Sequence, residues 1–219
     1  MNYTIKEFPD LQFGSLYCIG RNYSEHIREM HSEVTADPVV FLKPRSSVIR
    51  NGEAILYPPH STEVHHEVEL VLLLGELPAC ITPENALSAI KAFAVGLDLT
   101  ARDQQTEAKR NGLPWTMAKG FKTSAPVGNL VEFNSVNTDL MNLNLSVEVN
   151  GDIRQAGNTG SMIFSVSDIL CFLSKHFTLT PGDLIFTGTP QGVGPITKGD
   201  LITASAGTNA SFLKTHVQS

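Results

Sequence analysis

Basic runs are missing from this chain. Its 219 residues carry 16 Lys and Arg against 22 Asp and Glu, a net charge of −6, with no clustered positive stretch. Binding to a phosphate backbone needs such a patch, so nucleic acid is not an expected partner. No apolar run reaches the length of a membrane helix, and the start, Met-Asn-Tyr-Thr-Ile-Lys-Glu, lacks the apolar core of a signal peptide. A membrane is not expected as a partner either. Cysteine is scarce: Cys18, Cys80 and Cys171 are odd in number, widely spaced and form no C-x-x-C site. They fit reduced core thiols in a cytoplasmic protein. The glycine cluster of Gly188-Thr-Pro-Gln-Gly-Val-Gly194 lacks the Gly-Lys-Ser/Thr of a phosphate loop, and no helix is expected after it. It reads as a tight loop at a strand end. Repeats, linkers and low-complexity segments are also absent, so the simplest organisation is a leader at 1–15 and a single domain at 16–219.

What is present centres on Thr62-Glu63-Val64-His65-His66-Glu67-Val68-Glu69-Leu70-Val71-Leu72-Leu73-Leu74. From Val64 to Leu74 the aliphatic run, closed by Gly75, predicts a strand. Side chains alternate along a strand, so Glu67 and Glu69 share a face with Val71 and Leu73. Beyond residue 70 both faces are apolar, which predicts burial. Two neighbouring carboxylates in poor contact with water raise each other's pKa, and a hard divalent cation relieves the strain. The ordinary alternative is a strand end that reaches solvent. A third carboxylate follows in Phe93-Ala-Val-Gly-Leu-Asp-Leu99, a predicted strand on which the small Ala94 and Gly96 leave room on the face of Asp98.

Around these strands, Arg21 to Met30 has helical character with Ser24 as a cap, placing His26 and Glu29 side by side. A carboxylate beside a histidine can set its tautomer and basicity, as a general base requires, although such pairs are also common on surfaces. Thr82 is expected to cap a helix running to about Lys91. Thr100-Ala-Arg-Asp103 is expected to start another, with Asp103 in a capping box and Asn111-Gly112 as the stop. Leu113 to Gly120 reads as irregular. The second half has the texture of sheet, with a hairpin at Asn150-Gly151 and one amphipathic helix over 167–176.

In order and spacing, several motifs resemble the fumarylacetoacetate hydrolase family, above all its small acylpyruvate hydrolase and oxaloacetate decarboxylase members. They are Gly20-Arg-Asn-Tyr with His26-x-x-Glu29, Phe41-Leu-Lys-Pro44, His65-His-Glu-Val-Glu69, Leu97-Asp-Leu-Thr-Ala-Arg-Asp103 with Gln105, Leu113-Pro-Trp-Thr-Met-Ala-Lys119, Ser161-Met-Ile-Phe164, and Gly182-Asp through Thr187-Gly-Thr-Pro-x-Gly-Val-Gly194. The resemblance implies an α+β fold, a β-rich roll of mixed sheets with a few short helices, usually assembled as a homodimer. It implies Mg²⁺ or Mn²⁺ held by Glu67, Glu69 and Asp98. It implies a water-activating dyad of His26 and Glu29 on a lid segment, and substrate contacts from Arg102, Gln105, Lys119 and Thr189, with Lys119 also stabilising an enolate. Gly120 departs from the larger residue expected after that lysine, which bears on the freedom of Lys119. Arg45 is a further candidate for tuning substrate choice.

The activity so implied is metal-dependent hydrolysis of the C–C bond of acylpyruvates, with decarboxylation of oxaloacetate as a second reaction. The substrate would be a small 2-oxo or 2,4-dioxo acid. Two alternatives stay open: a tautomerase, isomerase, hydratase or decarboxylase of dicarboxylic 2-oxo acids, and a non-catalytic binder of metal and organic acid.

Overall fold

The computed structural model describes residues 3–30, 33–208 and 210–218; Met1 and Asn2 of the expected leader lie outside them. The predicted strand over 64–74 is interrupted at Glu67, leaving Val64–His66 and Val68–Leu74. Val68–Leu74 lies inside a six-stranded sheet, between Ile90–Leu97 and Leu184–Phe186. Val64–His66 lies in a three-stranded sheet, between Thr100–Ala101 and Gly194–Ile196. Three chain segments thus pass from one sheet into the other, and all three break at the same level. The breaks fall at Glu67, at 98–99 and along the loop 187–193. Backbone pairing survives the change, because the Asp98 N–H donates to the Glu67 carbonyl at 2.9 Å.

The six-stranded sheet runs Val131–Glu132, Ile90–Leu97, Val68–Leu74, Leu184–Phe186, Leu16–Gly20, Val39–Lys43, with a parallel pair at Leu184–Phe186 and Leu16–Gly20. A five-stranded sheet includes Asn144–Val149 and Asp152–Asn158, joined by the expected hairpin with Asn150 and Gly151 both at positive φ. The larger core lies between these sheets. It takes Val68, Leu70, Leu72 and Leu74 from one and Leu145, Val147, Ile202 and Leu213 from the other. Val71 and Leu73 belong to a second cluster on the opposite face, so the expected alternation holds. Complete burial of such aliphatic side chains contributes about 1.5–3 kcal/mol each. This is the α+β, β-rich roll of mixed sheets with short helices that was expected. The segment before residue 16 forms a hairpin of Thr4–Ile5 and Phe8–Gln12, and its Ile5 is fully buried in the second cluster.

Local expectations fared unevenly. The amphipathic helix is Val166–His176, entered through a full capping box of Ser165 and Asp168. Ser24 does not cap; it is the first residue of helix Ser24–Glu29, after an extended Tyr23. No helix follows Thr82. Asn85 accepts the Thr82 N–H, only a short 3₁₀ turn forms at Ala86–Ala89, and Ile90 already belongs to the sheet. Asp103 does not box a cap, because Thr100–Ala101 is strand and its carboxylate instead accepts from Ser61 Oγ and the Thr62 N–H. The stretch 113–120 is not wholly irregular, since Thr116–Lys119 is a helical turn. Of the three thiols Cys80 is exposed, not in the core.

Asn22 closes the end of the six-stranded sheet. It is fully buried, donates from Nδ2 to the Thr187 and Phe164 carbonyls, and accepts the Phe164 N–H on Oδ1. No apolar residue can meet those three backbone groups. Asn22→Ala is expected to lower stability by about 3 kcal/mol, read as a shifted urea midpoint at unchanged slope. A loss well under about 1 kcal/mol would show that water replaces the amide.

Candidate active site and metal centre

Where the three segments change sheets, their side chains converge. Glu67, Glu69 and Asp98 are all buried, and one carboxylate oxygen from each lies within 4.8 Å of the others. Glu69 faces Gly96 across the ladder. The room expected beside Gly96 is filled: a Cβ there would come within 2.6 Å of Val71 and 3.1 Å of Phe186. The glycine thus lets the second cluster pack up to the base of the site.

Three cations offset these acids. Lys119 Nζ lies 2.8 Å from Glu67 Oε2 and 2.5 Å from Asp98 Oδ2. Arg102 Nη2 donates to Glu67 Oε1 at 2.6 Å and Nη1 to Gln105 Oε1 at 2.6 Å. Arg102 and Gln105 are three apart on helix Arg102–Asn111, so both face the site. Lys43 Nζ lies 2.8 Å from Asp98 Oδ1. It makes no hydrogen bond there, because its protons go to the carbonyls of Leu99, Lys119 and Ser124. Among the described residues Asp98 Oδ1 is therefore a buried acceptor with an ion pair but no hydrogen bond. Gly120 bears on Lys119 through packing: a Cβ at 120 would meet the Thr116 carbonyl at 2.9 Å and Pro44 at 3.3 Å. The lysine itself is held by its two ion pairs.

The electrostatics divide the acids. Burial opposes ionisation of Glu67, but Lys119 and Arg102 outweigh it and hold its carboxyl well below the usual range. Burial, then Asp98, then Glu67 push Glu69 well up, against one hydrogen bond from the Gly188 N–H at 2.8 Å. Burial lowers the Lys119 ammonium, while Asp98 and Glu67 reverse that and raise it. An oxygen-only set with one orphaned acceptor and one destabilised carboxylate suits a hard divalent ion. The residues present fit Mg²⁺ or Mn²⁺.

A cavity of about 40 Å³ opens over this cluster. His26, Arg102, Gln105, Lys119 and Thr189 line it together with the three acids. Glu29 does not; it stands behind, with Oε2 3.1 Å from His26 Nδ1. Glu29 also accepts the Gly192 N–H at 3.0 Å, which ties the short helix to the loop carrying Thr189. Arg45 is remote from the cavity and stacks 4.3 Å over the Tyr3 ring in a surface groove.

Comparison with known proteins places these features. The family model for the fumarylacetoacetate (FAA) hydrolase C-terminal region matches residues 15–218. The chain belongs to the fumarylacetoacetate hydrolase family. It is 46% identical over 190 residues to the mitochondrial oxaloacetate tautomerase FAHD1 of Mus musculus, covering 87% of this chain and 86% of that one. It is 44% identical over 189 residues to the Arabidopsis thaliana protein of the same name, covering 86% and 84%. A fumarylpyruvate hydrolase from Pseudomonas aeruginosa, solved with Mn²⁺ and pyruvate, superposes with a TM-score of 0.88 at 34% identity, covering 95% of this chain and 91% of that one.

Two residues of the site carried no assigned role in the sequence reading. Lys43 holds Asp98, and its signal was a lysine ending an otherwise apolar strand. Gln155, whose amide accepts the Val68 N–H and donates to Thr189 Oγ1, sits on a strand with an exposed outer face and gave no comparable signal.

If the three acids hold the ion, Mg²⁺ or Mn²⁺ at a hundred times its dissociation constant should add about 2.7 kcal/mol of stability. A thermal melt of the parent should show this gain and Glu69→Ala should not. Lys119→Met should tighten the ion in calorimetry, because the lysine competes for oxygens of Glu67 and Asp98. Equal affinity in Glu69→Ala and parent would rule out this ligand set.

Proposed function

We propose that this chain is a divalent-metal-dependent enzyme acting on small 2-oxo acids through their enols. Interconversion of the keto and enol forms of oxaloacetate is the leading reaction, and hydrolysis of acylpyruvates at the C–C bond the second. The observation that carries this reading is the placement of Lys119 and His26 on one buried cavity with the three acids. The likeness to oxaloacetate tautomerases favours the first reaction, and the shared fold of a fumarylpyruvate hydrolase supports the second. The His26–Glu29 pair disfavours a non-catalytic binder, which needs no base.

Mg²⁺ or Mn²⁺ on Glu67, Glu69 and Asp98 would supply Lewis acidity to the 2-oxo acid head. The chain's own groups do the rest. Arg102 has a buried Nε–H without a partner among the described residues, a donor suited to a substrate carboxylate. Thr189 offers a hydroxyl to the same end. Lys119 is a fixed ammonium beside the anion that develops when the carbon next to the keto group loses a proton or its acyl substituent. His26 moves the proton, either at that carbon or from an attacking water, and Glu29 holds its Nδ1 side. Helix Ser24–Glu29 brings His26 to the cavity and is tied to the loop of Thr189 through the Glu29 to Gly192 contact, so it is the segment that would close over substrate. A homodimer belongs to this reading, with Leu42 and Leu113 exposed along one groove beside the edge strand Val39–Lys43. So does a reducing compartment, in keeping with three free thiols, and the tautomerase of Mus musculus that the chain resembles is named as mitochondrial.

His26→Ala separates the chemistries. Tautomerisation and acylpyruvate hydrolysis both need a proton carried and should fall by about 10²–10⁴. Decarboxylation of oxaloacetate needs no base and should fall far less. Enol absorbance, acylpyruvate loss and CO₂ release on one preparation give all three rates, and equal losses at unchanged KM would reject the role of His26. Lys119→Met should lower kcat about a hundredfold for tautomerisation and hydrolysis alike. A change confined to KM would make the lysine a uniform binding contact.

A further inference from the structure

Gln155 lies on strand Asp152–Asn158 in the five-stranded sheet, away from the segments that carry the acids, and is almost wholly buried. Its amide has no free valence. Oε1 accepts the Val68 N–H at 3.0 Å and faces His66 Nδ1 at 2.8 Å. Nε2 donates to the Pro190 carbonyl at 2.9 Å and to Thr189 Oγ1 at 3.0 Å. The orientation of the amide is not open to choice. A backbone N–H can only donate and a backbone carbonyl can only accept, so Val68 and Pro190 fix which end is which. Two consequences follow. His66 carries its proton on Nδ1, and Thr189 Oγ1 receives a proton from Gln155. With that lone pair engaged, the Thr189 hydroxyl proton has no other partner among the described residues, and Thr189 lines the cavity, where that proton can be donated.

We propose that Gln155 is a positioning residue that makes Thr189 a donor toward the substrate carboxylate and sets its distance from the metal-bearing strand. Val68 lies between Glu67 and Glu69, so one amide spans both halves of the site. The loop carrying Thr189 is held from one side by Gln155 and from the other by Glu29 through Gly192. This inference rests on the reading that Thr189 contacts substrate.

The test is a double-mutant cycle on the whole protein with saturating Mg²⁺, using pyruvate as a non-reacting probe in calorimetry and oxaloacetate for kinetics. Gln155→Glu keeps the volume and the acceptor toward Val68 and His66. It removes the donor, and the carboxylate it introduces draws the Thr189 proton away from the cavity. Gln155→Met removes both ends and serves if the charged variant does not fold. Either variant is expected to weaken pyruvate about tenfold and raise KM more than it lowers kcat, with Mg²⁺ affinity within about twofold of the parent. Thr189→Val should do the same, and the double variant should be no worse than the worse single, because the two residues act as one unit. Multiplied losses in the double variant, or a folded Gln155→Glu that binds pyruvate like the parent, would overturn the proposal. If Thr189→Val alone leaves pyruvate binding unchanged, the substrate-contact reading fails and this inference with it.

Discussion

Three carboxylates buried within 4.8 Å of one another are the constraint around which the rest of this molecule is arranged. Isolated in a dry interior such a group would not stay ionised, and the fold answers with three cations drawn from separate elements. Lys43 comes from an edge strand, Arg102 from the start of a helix, and Lys119 from the last residue of a helical turn. Each is spent differently. Lys43 is saturated by carbonyls, Arg102 keeps its Nε without a partner among the described residues, and Lys119 is shared between two acids. The uneven distribution leaves Glu69 with a single hydrogen bond and one oxygen of Asp98 with an ion pair but no hydrogen bond, which is where a cation has most to offer.

Much of this was legible in the sequence because the informative patterns are local. The alternation from Val68 to Leu74, the carboxylate pair on one face, the hairpin at Asn150-Gly151 and the stop at Gly112 each depend on neighbours a few residues away. The break at Glu67 was not legible. Nothing in a run without Gly or Pro shows that its two ends pair in different sheets, since that depends on where 97–101 and 186–196 lie. The misread caps have the same origin. Asp103 has the right spacing for a box, yet its carboxylate is taken by Ser61 and Thr62, forty residues away in the chain. Thr82 has a cap's identity, but Ile90 is claimed by the central sheet before a helix can grow.

The motif residues outside the acidic cluster also gain a physical meaning. Asn22 seals the sheet end with three backbone contacts, and Gly188 brings an N–H to Glu69. Glu29 orients His26 and also fastens its helix to the loop that presents Thr189. On the function proposed above, a single side chain thereby links the proton carrier to the substrate contact, so that closure of the short helix and readiness of the base would arise together.

The common level at which three strands change sheets has a bearing on how such chains can vary in length. Side-chain direction along a strand has a period of two, so removing one residue on either side of Glu67 would turn a carboxylate to the opposite face. The segments that converge on the site therefore tolerate no insertion or deletion of a single residue. The connections at the far ends of the sheets, such as 75–89 and 133–143, are under no such parity rule. Length variation among relatives is expected to collect at those distal turns, while the spacing from Val64 to Leu74 stays fixed.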